Sequence, residues 1–324
     1  MGQVVLICEK DEIEEMKNYY RKQVTDKNPP GSIFTAKTTG CSITAYRSGK
    51  VLFQGANCES EAEKWRVSDG KKQKPAGAGT TAKAKNTAKN TLPAGFNKLS
   101  VIGSDEVGTG DYFGPITVVA AYVKSENIPL LKELGVKDSK ELNDEKIIAI
   151  AKVIKDVIPF SLMTLKNEKY NVVQQQAGMT QGKMKALLHN QAILNVLRKI
   201  SPDKPDAVLI DQFVQPSTYF QHLKGQKEIA REDVYFSTKA EGIHLAVAAA
   251  SILARYAFIQ YIDKLSGSAG FPIPKGAGAH VDEAAAKLIL QKGRQSLGQF
   301  VKLHFANTDK ALALVQKKRR YHRK

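Results

Sequence analysis

Residues 99–123 (LSVIGSDEVGTGDYFGPITVVAAYV) constrain the fold more than any other stretch of the chain. A short apolar run from Leu99 to Ile102 leads to two adjacent carboxylates, Asp105 and Glu106, then to a glycine-rich turn and a long Val/Ile/Ala segment. This pattern predicts a hairpin of two buried strands with acidic side chains at their junction. An unpaired charge there is strongly disfavoured, so a divalent cation is the natural partner, and a solvated turn is the simpler alternative.

The charge of the chain indicates what it binds. Its 324 residues carry 49 Lys and Arg against 32 Asp and Glu, a formal net charge of +17. Because 42% of the residues are hydrophobic, the chain can bury a core, and its length suits two domains. A folded protein with this excess of positive charge is expected to bind a polyanion, and nucleic acid comes before anionic lipid. A basic protein without enzymatic activity is the alternative on charge alone.

Cysteine usage and the first residues favour a cytoplasmic protein. Cys8, Cys41 and Cys58 are odd in number and widely spaced, which predicts neither a disulfide framework nor a zinc site. The opening MGQVVLICEKDE is not typical of a signal peptide, and no uninterrupted apolar segment reaches about 18 residues. We expect no membrane span, no protein partner and a monomer.

The N-terminal residues 1–66 predict a small α+β domain. Strands are expected near residues 4–8, 32–37, 41–47 and 51–54, with helices near 11–23 and 59–65. Cations on or beside these strands either track a phosphate backbone together with nearby aromatic rings or are simply solvated. The cations are Lys37, Arg47 and Lys50, and the rings are Tyr46 and Phe53. Residues 67–97, rich in Lys, Ala, Gly and Thr, predict a flexible basic linker.

Residues 98–311 predict a second domain in which helices and strands alternate. Further strands are expected at 160–165 and 207–210, and helices near 143–158, 181–200, 242–265 and from Asp282 onward. A helix followed by a buried strand favours parallel pairing for the later strands. Residues 312–324, which end in KKRRYHRK, are expected to be a solvated basic tail that contacts nucleic acid nonspecifically.

Two further acids fall in settings like that of Asp105 and Glu106. Asp211 ends the apolar strand 207–210, and Glu241 stands at the start of the next helix. Because the carboxyl ends of neighbouring parallel strands and the first turn of the following helix meet at one sheet edge, four carboxylates are expected to converge. Oxygen ligands select Mg²⁺ or Mn²⁺, and two such ions can activate a water and stabilise a leaving oxygen. Helix caps or structural ion pairs are the alternative.

Four motifs in order carry a resemblance to a known family. They are GSDEVGTGDYFGP at 103–115, VKDSKEL at 136–142, LID at 209–211 and AEGIHLAVAAASILAR at 240–255, and GAG at 276–278 and FVKLHFANT at 300–308 extend them. Together they resemble the type 2 ribonucleases H, and within them the bacterial ribonuclease HIII group, over residues 98–310. The first domain and its linker also match that group.

The resemblance implies a fold and an activity. The expected fold is α/β, a ribonuclease H-like mixed sheet flanked by helices, with a small N-terminal α+β domain similar to the TATA-binding protein fold that holds substrate. The expected reaction is endonucleolytic hydrolysis of the RNA strand of RNA/DNA hybrids by a two-metal-ion mechanism, leaving 5′-phosphate and 3′-hydroxyl ends. Mg²⁺ or Mn²⁺ is the implied cofactor, two ions per site.

The resemblance also implies site residues. Asp105, Glu106, Asp211 and Glu241 fall on the catalytic, metal-binding acids of the family. The backbone of Gly108, Thr109 and Gly110 is expected to read the 2′-hydroxyl that distinguishes RNA from DNA, since glycine permits close backbone approach. Ser139 and Lys140 are expected to hold a substrate phosphate, with an ordinary polar turn as the alternative.

Two departures from the sister group, ribonuclease HII, favour the HIII group. Glu241 replaces the usual Asp, and Thr109 stands where HII carries Arg between two glycines. Two other functions are kept as alternatives: HII-like incision at single ribonucleotides in duplex DNA, and a noncatalytic protein that binds hybrids.

Overall fold

The structure is a computed structural model, and it describes residues 2–25, 29, 32–47, 49–66 and 92–321. The chain divides into one unit within Met1–Lys83 and another within Ala84–Lys324. Residues 67–91 of the predicted linker therefore lie outside the described residues. The last part of that predicted linker already packs in the second unit, because Phe96 is buried with its ring edge-on to that of Tyr235.

The N-terminal unit is a small α+β structure, as the sequence predicts. A four-stranded antiparallel sheet has the order β1-β4-β3-β2. Its elements are β1 (Gly2–Ile7), α1 (Lys10–Tyr19), β2 (Ser32–Thr38), β3 (Cys41–Tyr46), β4 (Lys50–Gly55) and α2 (Cys58–Arg66). A capping box at Glu9, whose backbone N–H donates to Glu12, begins α1. Phe53 is fully buried in this core, so the prediction that it contacts nucleic acid is wrong.

The second unit is built on a mixed five-stranded sheet of order β7-β6-β5-β8-β9. The strands are β5 (Val101–Val107), β6 (Ile116–Val123), β7 (Phe160–Leu165), β8 (Ala207–Asp211) and β9 (Val234–Ser237). β5 pairs antiparallel with β6, and β6 with β7, whereas β5 with β8 and β8 with β9 are parallel. The predicted parallel pairing of the later strands is confirmed, and β9 is a strand that the sequence analysis did not identify.

Helices cover this sheet on both faces, as the hydrophobic clusters on its two sides indicate. They are α3 (Ile128–Glu133), α4 (Asp144–Ile154), α5 (Asn167–Gln174), α6 (Gln181–Ile200), α7 (Pro216–His222), α8 (Leu245–Ala269), α9 (Ala279–Lys292), α10 (Leu297–Phe300) and α11 (Asn307–Tyr321). Asn143 caps α4 as predicted, since its side chain accepts the N–H of Lys146. α11 continues into the predicted basic tail, and Val315 on it is buried.

Three of the acids lie in elements other than those predicted. Asp105 and Glu106 lie inside β5 rather than after it, because their backbone continues the ladder to Val119 and Val118 of β6. Glu241 lies in a 3-10 turn, Ala240–Gly242, and not at the start of a helix. The helix begins only at Leu245, where the side chain of His244 accepts the N–H of Ala246 as the cap.

Helix α8 lies against β5 and β6, and its first half consists largely of buried alanines. Among the described residues it is the one helix long and apolar enough to cross a bilayer, and 67% of its most apolar window is buried inside the protein. It is the core helix of the second unit. Gly103 on β5 permits the close approach, because a Cβ there would lie 2.2 Å from backbone atoms of Ala246 and Val247.

We therefore expect Gly103→Ala to destabilise the protein by about 3 kcal/mol or more, because backbone atoms of α8 cannot yield as a side chain can. Gly267→Ala is the matched control. Gly267 lies on α8 with nothing within 4 Å of an added Cβ, and alanine there should stabilise the helix by about 0.5–1 kcal/mol. Urea unfolding of both variants measures the difference, and equal stability of the two would contradict the close packing.

Candidate active site

The sheet topology brings Asp105 and Asp211 close together. β5 and β8 are parallel neighbours in which Ser104 pairs with Ile210, so Asp105 and Asp211 follow at the same height on adjacent strands. The backbone N–H of Ala240 donates to Asp211 Oδ1 at 2.9 Å, which brings the 3-10 turn that carries Glu241 beside β8. The structure thus gathers the predicted acids at the end of β5 and β8.

Glu106 is hydrogen-bonded to a lysine and a histidine of α6. Lys185 Nζ donates to its Oε1 at 2.6 Å, and His189 Nε2 donates to its Oε2 at 2.8 Å. Burial on its own raises the pKa of Glu106, but the hydrogen bonds and charges of His189 and Lys185 outweigh burial and hold the pKa below its usual value. Glu106 is therefore ionised, and its orientation is set from α6.

Glu241 is held by the segment predicted to bind phosphate. The backbone N–H of Ser139 donates to its Oε2 at 2.8 Å, and Lys140 Nζ donates to its Oε1 at 3.0 Å. The Ser139 hydroxyl is paired with that of Ser251 at 2.9 Å, and Arg255 donates to the Ser139 carbonyl at 2.6 Å. Ser139 is thus fully engaged within the protein. The Lys140 side chain is 70% exposed, so its ammonium also faces solvent.

The pKa of Asp105 is raised by its burial and by the other three acids. Burial raises the pKa of Asp105 well above its usual range, the charge of Glu106 raises it further, and Asp211 and Glu241 add smaller increases. A hydrogen bond with Ser251 acts in the opposite direction. Burial also raises the pKa of Asp211, against a hydrogen bond from Ala240 that lowers it. A nearby divalent cation would stabilise the ionised carboxylates and so lower the raised pKa values of Asp105 and Asp211.

The donor set fits a hard divalent cation. Asp105 and Asp211 have raised pKa values because carboxylates crowd one desolvated place, and carboxylate oxygens are the ligands that Mg²⁺ and Mn²⁺ prefer. Within the described ranges, no three His, Cys, Asp or Glu side chains are close enough together to form a ready-made metal cluster. Glu106 and Glu241 each accept a hydrogen bond from a lysine, and these two ammonium groups offset part of the negative charge.

The predicted 2′-hydroxyl-reading turn has one position that requires glycine. Gly108 has a φ of 96°, and a Cβ there would lie 2.2 Å from the Pro115 carbonyl oxygen. A Cβ at Gly110 would meet nothing within 4 Å, so packing does not explain that glycine. The Thr109 carbonyl accepts a hydrogen bond from Gln181 Nε2 at 3.2 Å. The Thr109 hydroxyl is buried and has no hydrogen-bond partner among the described residues.

A buried lysine, Lys302, holds the residues that follow this turn, and it was not predicted from the sequence. Lys302 is fully buried, and its Nζ donates to the carbonyls of Asp111 at 2.7 Å and Gly114 at 2.6 Å. The Gly114 carbonyl also accepts from Asn167 at 2.8 Å. Burial lowers the pKa of Lys302 to about 7, and Asp111 offsets this only in part. The position of this lysine between Val301 and Leu303, in an apolar stretch, was the available signal.

Lys185 and His189 were missed as well. They stand four residues apart on α6, among residues of its buried face, where a charged side chain is unusual. Their four-residue spacing on a buried helix face could have indicated a functional pair, but only the fold identifies Glu106 as their partner.

Two family models match the chain. The one described as Ribonuclease HII matches residues 102–308, and the one described as a domain of unknown function (DUF3378) matches residues 3–78. With the mixed sheet and the acids at its edge, the first match places the second unit in the class of type 2 ribonucleases H.

Individual relatives identify the family within this class. Ribonuclease HIII from Bacillus subtilis (strain 168) is 59% identical over 307 residues, which are 95% of this chain and 96% of the relative. Ribonuclease HIII from Bacillus pumilus (strain SAFR-032) is 59% identical over 311 residues, 96% and 99% of the two chains. The chain therefore belongs to the ribonuclease HIII family, and it is a ribonuclease H that depends on a divalent metal.

Solved structures agree with this assignment. The crystal structure of Bst-RNase HIII in complex with Mn2+ is 44% identical, has a TM-score of 0.68, and the match covers 98% of this chain and 100% of that one. The crystal structure of Aquifex aeolicus RNase H3 is 25% identical with a TM-score of 0.51, over 93% and 99% of the chains. The ribonuclease H-like fold predicted from the sequence is confirmed.

The buried lysine predicts a pH dependence of stability. Between pH 7 and the ordinary lysine pKa of 10.5, the unfolded chain binds a proton at Lys302 that the folded protein has released, so this group makes stability rise with pH. One pKa unit corresponds to about 1.4 kcal/mol, so the rise is on the order of a few kcal/mol. The difference in unfolding free energy between wild type and Lys302→Met should therefore shift in favour of wild type from pH 7 to 10.

Chemical denaturation at several pH values measures this difference. Lys310→Met, at an exposed position of α11, controls for the loss of a lysine as such. A wild type to Lys302→Met difference that stays constant across this pH range would show that Lys302 keeps its proton when buried.

Proposed function

We propose that this protein hydrolyses the RNA strand of RNA/DNA hybrids at the end of β5 and β8, leaving 5′-phosphate and 3′-hydroxyl ends. The proposal rests on one observation above all: four carboxylates from three separate segments interact at one place in a chain of net charge +17. The acids are Asp105, Glu106, Asp211 and Glu241. Such a cluster suits phosphodiester chemistry on a polyanion, and relatives at 59% identity carry the name Ribonuclease HIII.

We propose that these four side chains are the catalytic and metal-binding residues and that they hold two ions of Mg²⁺ or Mn²⁺. A bound ion supplies activation of the attacking water and stabilisation of the leaving oxygen. The donor chemistry supports both metals, and the related Bst-RNase HIII crystallised in complex with Mn2+. Asp105 is buried, and the charges of the other three acids all raise its pKa, so it is the acid with most to gain from a cation.

Other side chains near the acids are proposed to bind the substrate. The exposed ammonium of Lys140, beside Glu241, can reach a phosphate without leaving its segment, whereas Ser139 mainly orients Glu241. Backbone groups of Gly108, Thr109 and Gly110 are proposed to contact the 2′-hydroxyl. The Thr109 hydroxyl in this turn is buried and has no hydrogen-bond partner in the part of the chain that the structure describes, and such a group is costly until a ligand supplies a partner.

We propose that the N-terminal residues 1–66 bind the hybrid and that residues 67–91 link them to a catalytic domain that includes Phe96 and all of α11, whose basic residues add a positive surface. Lys37, Arg47 and Lys50 are exposed, as phosphate contacts must be. We further propose a cytoplasmic monomer, in keeping with an odd number of widely spaced cysteines that predicts no disulfide framework.

Asp105→Asn tests the proposed chemistry. It should lower the rate of hybrid cleavage by about 10³-fold or more, since the developing charge loses its main support, while affinity for the hybrid stays within a few-fold. The metal-free variant should be at least as stable as wild type, because a repelled carboxylate is removed. Normal turnover by a folded Asp105→Asn protein would refute the assignment.

Substrates for this assay should include a continuous hybrid, double-stranded RNA and DNA with a single ribonucleotide, each in Mg²⁺ and in Mn²⁺. We expect preference for the continuous hybrid. Efficient incision at a single ribonucleotide would favour the HII-like alternative, and binding without cleavage of any substrate would favour the noncatalytic one.

The N-terminal unit is tested by replacing Lys37, Arg47 and Lys50 with Ala. We expect KM for the hybrid to rise, kcat to stay the same, and the salt dependence of binding to weaken, because fewer counterions are released on binding.

A control variant replaces Lys10, Lys17 and Lys22 with Ala, which removes the same charge from exposed positions on or just after α1. If both variants raise KM equally, only net charge matters. If neither does, the N-terminal unit takes no part in binding.

A further inference from the structure

The carboxylate of Glu106 is held more firmly than that of Glu241. Both of its oxygens accept a hydrogen bond from a buried cationic or ring donor, Lys185 at 2.6 Å and His189 at 2.8 Å. The exposed fractions of these side chains are 12% for Glu106, 11% for Lys185 and 0% for His189. Glu241, by contrast, is paired with a lysine whose side chain is 70% exposed. Glu106 therefore has little freedom to turn.

The donors are themselves fixed. His189 Nδ1 lies 2.7 Å from Ser104 Oγ, and the Ser104 hydroxyl is in turn within 3.1 Å of the Val119 carbonyl on β6. Because an ionised carboxylate only accepts hydrogen bonds, His189 Nε2 must carry a proton in this arrangement. The ring is thus fixed at both nitrogens by β5, the strand that also carries Asp105 and Glu106.

Phe213, two residues after the end of β8, completes the arrangement. Its ring stacks on that of His189, with centroids 5.0 Å apart and planes 24° apart, and Lys185 Nζ lies 4.2 Å from its centroid. Phe213 follows Asp211 by two residues, so the chain that delivers one acid also covers the two side chains that hold another. Cation–π attraction and stacking reduce the mobility of both donors.

We propose that Lys185 and His189 are positioning residues that orient the Glu106 carboxylate for a divalent cation. Each carboxylate oxygen has two acceptor sites, and the two donors occupy one on each oxygen, which leaves the others free for a metal. Carboxylate ligands are commonly held by outer hydrogen bonds in this way, and loss of such a bond typically costs about 10–100-fold in metal affinity. This inference rests on the proposed function of Glu106 as a ligand.

A purely stabilising role explains the arrangement less well. A buried ion pair often adds little stability over packed apolar side chains, and desolvating a lysine and a histidine against one carboxylate is costly. The positive charge of Lys185, taken alone, would lower the affinity of the site for a metal ion. A lysine ammonium beside a metal site repels the cation, so if Lys185 contributed only charge, its removal would tighten metal binding.

The experiment is a calorimetric titration of Mn²⁺ into the full-length protein without nucleic acid, for wild type, Lys185→Met and His189→Gln. We expect each variant to bind Mn²⁺ about 10–100-fold more weakly than wild type. Lys185→Arg, which retains a charged donor, should stay within a few-fold of wild type. Lys183→Met, on the same helix, removes the same charge away from Glu106 and should bind Mn²⁺ like wild type.

A double-mutant cycle separates positioning from general disruption. In a Glu106→Gln background, Lys185→Met should cause no further loss of Mn²⁺ affinity, because its effect acts through Glu106. Urea midpoints identify folded variants, and the two substitutions probe different oxygens, so either one alone decides the matter. Unchanged or tighter Mn²⁺ binding by a folded Lys185→Met or His189→Gln protein would overturn the inference.

An assay of hybrid cleavage by wild type in Mn²⁺ distinguishes failure of this inference from failure of the proposed function. If wild type cleaves and the variants bind Mn²⁺ normally, only the positioning role is wrong. If wild type binds Mn²⁺ but cleaves no hybrid, the proposed function fails first. In the expected case, excess Mn²⁺ restores kcat of Lys185→Met while KM for the hybrid stays unchanged throughout.

Discussion

The burial of carboxylates beside one another is the constraint on which the site in the second unit depends. Asp105 is buried, and the negative charges of Glu106, Asp211 and Glu241 all raise its pKa. A folded chain tolerates this only if cations or hydrogen-bond donors are built around the acids. The surroundings supply them: lysines on Glu106 and Glu241, a histidine on Glu106, and backbone N–H groups on Asp211 and Glu241. These contacts offset the cost of burying the acids, and we propose that a divalent ion offsets the rest.

The rest of the unit holds the acids in place. Gly103 lets α8 lie directly on β5, which fixes the strand that carries two of the acids. Arg255, from the same helix, donates to the carbonyls of Ser139 and Leu142 and so anchors the segment that contacts Glu241. Lys302 braces the turn that follows β5. Stability and function are thus coupled: the contacts that order the core are also those that set the positions of the acids.

The sequence predicted much of this. Alternating helices and strands, the parallel later strands and the small α+β unit follow from hydrophobic periodicity and turn residues, which are local properties. The structure places Asp105 and Asp211 at the same height on adjacent parallel strands, as expected from the sequence, although Asp105 lies inside its strand and only Asp211 ends one. Strand β9 is four residues long, which is too short for a clear sequence pattern. The 3-10 turn before α8 has no distinct sequence signal either, so Glu241 was expected at a helix start.

By itself, the sequence determined which residues bear charge, which segments are apolar enough to form strands and helices, and, through its motifs, the family. Only the tertiary structure decided the partners of the acids. Lys185 is 79 residues from Glu106 along the chain, Ser139 is 102 from Glu241, and Lys302 is 188 from Gly114. Local periodicity constrains neighbours within a few positions, whereas contacts at such separations depend on strand order and helix packing, which are properties of the whole folded unit.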